Sequence, residues 1–362
     1  MRRFASFSLL TAAFLAGVAP AIRATPVVTQ SPVVPPSLPW NLAAIHLPIS
    51  TVSLGAMSTT ASTSNTIAIL DTGYATVPSI RGTVVNGYDF VSDAATSGDG
   101  DGRDADATDT GATSYHASMV AGIVASIDPT ATFVHVRVAD DDGHIRVNDL
   151  VDGLRWAAGL PVTGVPLNTK PAKIVNLSLF VDFIPLTRCD ARVQSALSAV
   201  AARGVIVVAG AGNDDRDASG YSPAGCRDVI TVTATDATDR RANYANYGPT
   251  ITLAAPGGTA ASLIDVSTPN GTERQMGTSI AAPHVTGVVS LLLRAKPTLR
   301  PAEVTAILKD TATKFEGGAC DVRSPLKTCG AGLLNAEAAL ARVATAAKTS
   351  GRSSAARMPA RP

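Results

Sequence analysis

Three residue types that can cooperate in nucleophilic chemistry stand at element boundaries of this chain. Asp71 closes an apolar run, Thr66-Ile-Ala-Ile-Leu-Asp71, and is followed by Thr72-Gly73. His116 opens a segment of small residues, His116-Ala-Ser-Met-Val-Ala-Gly122. Ser279 opens another, Ser279-Ile-Ala-Ala-Pro-His-Val285. A hydroxyl is a poor nucleophile until a base takes its proton. The base in turn needs a carboxylate to fix its tautomer and to stabilise its cation. Each residue alone has a plain structural explanation. Asp71 could cap a strand, His116 could be a core histidine, and Asn213 in Gly212-Asn213-Asp214 could turn the chain. The chemistry follows only if the fold brings them together.

The elements around them give the means. Thr66–Leu70, Thr132–Val138, Lys173–Leu179, Gly204–Ala209 and Val229–Thr233 are apolar runs of strand length. Helical patterns lie between or after them at Val147–Ala158, Ala191–Arg203 and Ser279–Ala295, and Pro301 starts a further helix ahead of Glu303. This alternation predicts an α/β fold: three layers, with a mostly parallel β-sheet covered by helices on both faces. Chemistry in such sheets sits at the carboxyl ends of the strands. Of 362 residues, 46% are hydrophobic and 16% charged, which excludes a disordered chain. The net charge of +1 gives no reason to expect nucleic acid as a partner.

The ends read differently from the body. Residues 1–21 carry a basic start (Arg2, Arg3), an apolar run too short for a membrane span, and Ala19-Pro20-Ala21 as a cleavage site, which is the pattern of a signal peptide. Export to the extracellular space or periplasm is expected, with no membrane association after cleavage. Residues 22–39 form a short Pro-rich leader, 40–346 the folded domain, and 347–362 a disordered tail. In an oxidising compartment Cys189, Cys226, Cys320 and Cys329 suggest two disulfides, with three connectivities open. Spacing favours Cys320–Cys329, leaving Cys189–Cys226. Zinc is a weaker alternative because no Cys-x-x-Cys pair occurs.

Asp93 to Asp109 holds six Asp and one Arg in 17 positions. Carboxylates between glycines suit a hard cation, so Asp99, Asp101 and Asp104 are candidate Ca²⁺ ligands; a solvated loop is the alternative. Asp-Thr-Gly occurs twice, at Asp71 and Asp109, which raises a two-carboxylate mechanism. The second copy follows no apolar strand, and the copies lie too close together for two symmetric lobes.

Taken in order, Asp71, His116 and Ser279 resemble the subtilisin-like serine proteases, the subtilase family (peptidase S8), in the secreted bacterial form. The most specific match is Gly277-Thr-Ser-Ile-Ala-Ala-Pro-His-Val-Thr-Gly287, with Ala68-Ile-Leu-Asp-Thr-Gly73, Val207-Val-Ala-Gly-Ala-Gly-Asn213 and Cys329-Gly-Ala-Gly-Leu-Leu-Asn335 in support. The resemblance covers Trp40 to about Leu340. It implies a serine endopeptidase acting on protein or peptide substrates as a monomer, with no cofactor for catalysis and Ca²⁺ as a structural ion. Ser279 would be the nucleophile, His116 the base, Asp71 its orienting acid, and Asn213 an oxyanion donor. Ser178-Leu179-Phe180 and Gly143-His144-Ile145 would pair with substrate main chain, and Gly210-Ala211-Gly212 would wall the primary specificity pocket. Three positions depart from the pattern: Ala117-Ser118-Met119 follows His116, Phe180 stands for a Gly, and Ile280 stands for an oxidisable Met. The leader of 18 residues is too short to fold as the family's usual prodomain. The rival reading is a catalytically impaired relic that binds peptides.

Overall fold

Alternation along the strands divides the apolar side chains between two faces. In β1 (Thr66–Asp71), Ile67 and Ile69 join one core cluster while Ala68 and Leu70 join another. β5 (Ile206–Gly210) does the same, with Ile206 and Val208 on the first face and Val207 and Ala209 on the second. Both faces of the sheet are therefore buried, and its strands can be apolar on both sides. The computed structural model describes residues 38–48, 64–113, 115–318 and 320–355. The expected signal peptide and nearly all of the expected leader lie outside the described residues.

β2 (Thr83–Asp89), β3 (Thr132–Arg137), β4 (Ile174–Leu177), β6 (Ile230–Thr235) and β7 (Leu253–Pro256) complete a sheet of order β2-β3-β1-β4-β5-β6-β7, parallel throughout. α1 (Trp40–Ala44), α2 (His116–Ile127), α5 (Thr278–Ala295), α6 (Pro301–Thr311) and α7 (Ala336–Ala355) contribute to the first core. α3 (Val147–Ala157) and α4 (Ala191–Ala202) contribute to the second. A β8–β9 hairpin (Ile264–Thr268, Gly271–Gln275) packs Ile264 and Val266 on Met119 and Ile280. The predicted three-layer α/β fold is thus observed. Strand order reverses at β1, and such a reversal opens a crevice at the carboxyl ends of the strands. Asp71 is the last residue of β1, so it stands at that crevice.

Both disulfides form as spacing favoured, Cys189–Cys226 and Cys320–Cys329. At the carboxyl end, irregular chain was expected from 347, but α7 continues to Ala355. The Ala-rich part of α7, residues 336–347, favours helix once packing has nucleated the first turns.

One buried ion pair links β2 and β3 beside the acidic loop. Arg137 ends β3, is 1% exposed, and meets Asp89 of β2 at 2.8 Å. Burial pushes the Asp89 carboxyl up to about 7, against the Val91 N–H and the Arg137 charge, which pull it down. Without the guanidinium, that carboxyl would stay buried with no cation. Arg137→Met should therefore cost about 3–5 kcal/mol, seen as a lower urea midpoint at unchanged m-value.

Candidate active site

Asp71 is fully buried, and its Oδ1 accepts the Thr72 N–H at 2.8 Å and His116 Nδ1 at 2.7 Å. A carboxylate accepts only, so Nδ1 carries the proton and Nε2 is left with its lone pair. His116 reaches Asp71 because α2 begins there. Tyr115 before it turns left-handed (φ 58°), and the Ala117 N–H donates to Thr72 Oγ1 at 3.1 Å. Thr72 in turn donates its hydroxyl proton to Asp109 Oδ2 at 2.6 Å. The second Asp-Thr-Gly thus supports the start of α2 through Thr72, and Asp109 also accepts the Gly111 N–H. Burial works against the imidazolium of His116. The Asp71 carboxylate, by charge and hydrogen bond, with Asp109 behind it, outweighs that and holds His116 above the ordinary imidazole value.

Ser279 lies in the first turn of α5, after Gly277 in an extended positive-φ conformation (φ 155°, ψ 162°). A Cβ on Gly277 would stand 2.9 Å from Ser279 Oγ, 3.7 Å from Ser279 N and 3.8 Å from Asn213 Nδ2. Glycine keeps clear the space that these three groups share. The Asn213 orientation is set by donors: its Oδ1 accepts the Thr278 N–H at 2.9 Å and the Thr278 hydroxyl at 3.0 Å. An amide N–H can only donate, so the Asn213 NH₂ must point the other way. Gly277 O accepts the Ile280 and Ala281 N–H groups. Among the described residues, that leaves the Ser279 N–H as a first-turn donor with no protein acceptor, at the positive end of the helix.

Pro283 explains a contact the motifs did not foretell. Lacking an N–H, it leaves the carbonyl four residues earlier without its helical donor, and that carbonyl belongs to Ser279. Ser178 Oγ donates to it instead, at 2.9 Å. Behind Ser178, Asn176 Nδ2 donates to its hydroxyl at 2.9 Å, and Thr286 of α5 donates to Asn176 Oδ1 at 2.7 Å. The reading of Ser178 as a main-chain partner for substrate missed this support, although Pro283 signals it in the sequence. His284 is structural: burial pulls it down to about 4, its Nδ1 donates to Ile280 O, and its Nε2 accepts from Asn41 of α1.

The other proposed contact residues come together at the same end of the sheet. Ser178-Leu179-Phe180 leaves β4, and Gly210-Ala211-Gly212 leaves β5 alongside. Gly143-His144-Ile145 is tied beside the first segment, because Asp182 and Ile145 exchange hydrogen bonds at 2.9 Å in both directions.

With this geometry in place, the comparisons have a clear meaning. The Subtilase family profile, peptidase S8, matches residues 62–332. The chain belongs to the subtilase family. The extracellular protease of Xanthomonas campestris pv. campestris is 36% identical over 304 residues, covering 76% of this chain and 50% of that relative. The extracellular basic protease of Dichelobacter nodosus is 33% identical over 288 residues, covering 69% and 47%. The chain spans about half the length of the curated relatives it matches. A solved subtilase-like fold, the protease from Pseudoalteromonas arctica PAMC 21717, superposes with a TM-score of 0.71 at 33% identity, over 83% of this chain and 94% of that one.

Among the described residues of this subtilase, Asp99, Asp101 and Asp104 do not form a cluster of three metal-ligating side chains. The loop's charges find partners within the protein. Asp99 pairs with Arg137, while Arg103 from the same loop pairs with Asp149 at 2.7 Å and Asp152 at 2.6 Å. Asp104 Oδ1 accepts the Asp106 N–H at 2.8 Å.

Proposed function

We propose that this chain is an exported serine endopeptidase that hydrolyses peptide bonds in protein substrates through Asp71, His116 and Ser279. Two observations support the reading: the 2.7 Å Asp71–His116 pair at the carboxyl end of β1, and the one space that Ser279 Oγ and Asn213 Nδ2 border beyond the carboxyl end of β5. Ser279 Oγ would attack the scissile carbonyl as His116 Nε2 takes its proton. The oxyanion so formed would be met by Asn213 Nδ2–H and the Ser279 N–H. His116 then returns the proton to the leaving amine, the C–N bond breaks, and water repeats the sequence on the acyl-enzyme. No cofactor enters any step. Relatives named as extracellular proteases support export, and among the described residues no helix is long and apolar enough to cross a membrane.

The test is active-site labelling. A fluorophosphonate should add one phosphonyl group to the folded protein, as measured by intact mass, and none to Ser279→Ala. Labelling that survives in Ser279→Ala, or no labelling in folded wild type, would sink the reading.

The pH profile follows from His116. The base must be neutral to act, and its conjugate acid is held above the ordinary imidazole value by Asp71. Lowering the pH through that raised value should remove activity. The acid limb of kcat/KM is therefore expected above pH 6.5, the ordinary value. A limb at or below that value would contradict the charge argument.

A further inference from the structure

In the endopeptidase reading, a substrate side chain would enter beside Ser279 between the segments that leave β4 and β5. β4 and β5 run in register as far as Leu177 and Ala209, and the two chains that continue from there would wall the pocket. Both walls are pinned to the nucleophile segment: Ser178 Oγ donates to Ser279 O at 2.9 Å, and the Gly212 N–H donates to Thr278 Oγ1 at 3.1 Å. The floor is Tyr221, 2% exposed. A Cβ on Gly212 would meet the Asn246 amide first and then Tyr221 Cε1 at 3.4 Å, so the ring lies beside that wall. Tyr221 is held at its far end by its hydroxyl, which donates to Asp214 Oδ2 at 2.6 Å, one residue past Asn213.

Phe180 fills what remains. Its ring meets the Tyr221 ring edge-on, with centroids 5.3 Å apart and planes at 86°. It packs on the buried cluster of Ala211, Ala218, Tyr221, Ala224 and Ile251. The backbone cannot readily carry the ring away, because the next N–H, that of Val181, donates to Ser222 O at 2.9 Å. A glycine here would leave the pocket open to the floor. A half-buried phenyl ring stacked on that floor does not.

Resting on the endopeptidase reading above, we infer that Phe180 closes the primary specificity pocket, so that this chain cleaves after residues with small side chains, Gly, Ala or Ser, and rejects large apolar or aromatic ones. A bulky side chain would have to expel the ring from its contacts with Tyr221 and the alanines. Small differences in pocket filling change specificity by roughly 10–200-fold per methylene, so loss of a whole ring's volume should dominate selectivity.

The experiment uses peptide substrates differing only at the residue before the scissile bond, with the plain fluorophosphonate as a control that needs no side-chain pocket. Wild type should cleave after Ala at least roughly 100-fold better than after Phe, by kcat/KM. Phe180→Gly should raise the ratio of kcat/KM after Phe to kcat/KM after Ala by roughly 100-fold. Phe180→Ala serves as a second opening variant, and near-ultraviolet circular dichroism checks that each is folded. Wild type that labels and cleaves equally after Phe and Ala would overturn the inference. So would opened variants with an unchanged Phe-to-Ala ratio. Absence of fluorophosphonate labelling would instead strike the endopeptidase reading, and the pocket assignment with it.

Discussion

Ser279→Ala should reduce kcat by about 10⁶-fold, with KM changed far less, as for the subtilisin triad itself. The loss would be large because, in the proposed mechanism, the hydroxyl forms the covalent intermediate and no neighbouring group substitutes for it. His116→Ala should cost about as much, since without Nε2 the Ser279 proton has no acceptor in the transition state. The double variant should be scarcely worse than either single one, because nucleophile and base act as a unit. A residual rate of about 10³-fold over water should persist in all three, carried by the oxyanion donors and by substrate binding. Stopped assays with a chromogenic peptide, corrected for contaminating protease by fluorophosphonate titration, measure this. Losses that multiplied in the double variant would mean that the two residues act independently, and a relay through Asp71–His116 would be wrong.

The core of this arrangement could be read before any coordinates. Asp71, His116, Asn213 and Ser279 each sit at the end of an apolar run or the start of a small-residue helix, and in a parallel sheet those ends converge. The strands were legible for the same reason: a strand buried on both faces is apolar throughout, as Ile67 to Leu70 is. What escaped depends on register across the sheet. Asp99 resembled a cation ligand because its neighbours in sequence are Gly and Asp. Its partner, Arg137, is 38 residues away on β3, and only strand register puts it under the loop. Thr72 and Asp109 escaped similarly, being 37 residues apart. Ser178 is the instructive case. Pro283 inside the nucleophile helix orphans the Ser279 carbonyl by simple counting, so the need for a donor was visible, although the donor's identity was not.

Asn213→Ala should lower kcat by about 10²–10³-fold, roughly 2.7–4 kcal/mol of transition-state stabilisation, with KM within a few-fold. The asymmetry is the diagnostic part. The Asn213 amide borders the space beside Ser279 Oγ, where negative charge would develop only as the carbonyl becomes tetrahedral. An interaction made only in the transition state appears in kcat and not in KM. Asn213→Asp tests the same donor without changing its shape. The aspartate can still accept the Thr278 N–H and hydroxyl, now held at 2.9 and 3.0 Å by Oδ1. Its second oxygen, however, presents an acceptor where a donor stood. Asn213→Asp should therefore be at least as impaired as Asn213→Ala. Thr278→Ser, which keeps the hydroxyl that steadies Asn213, should stay near wild type, whereas Thr278→Val should lose part of the same factor. If Asn213→Asp were close to wild type, the amide NH₂ would not be the oxyanion donor. The Ser279 N–H at the head of α5 would then have to carry that charge alone.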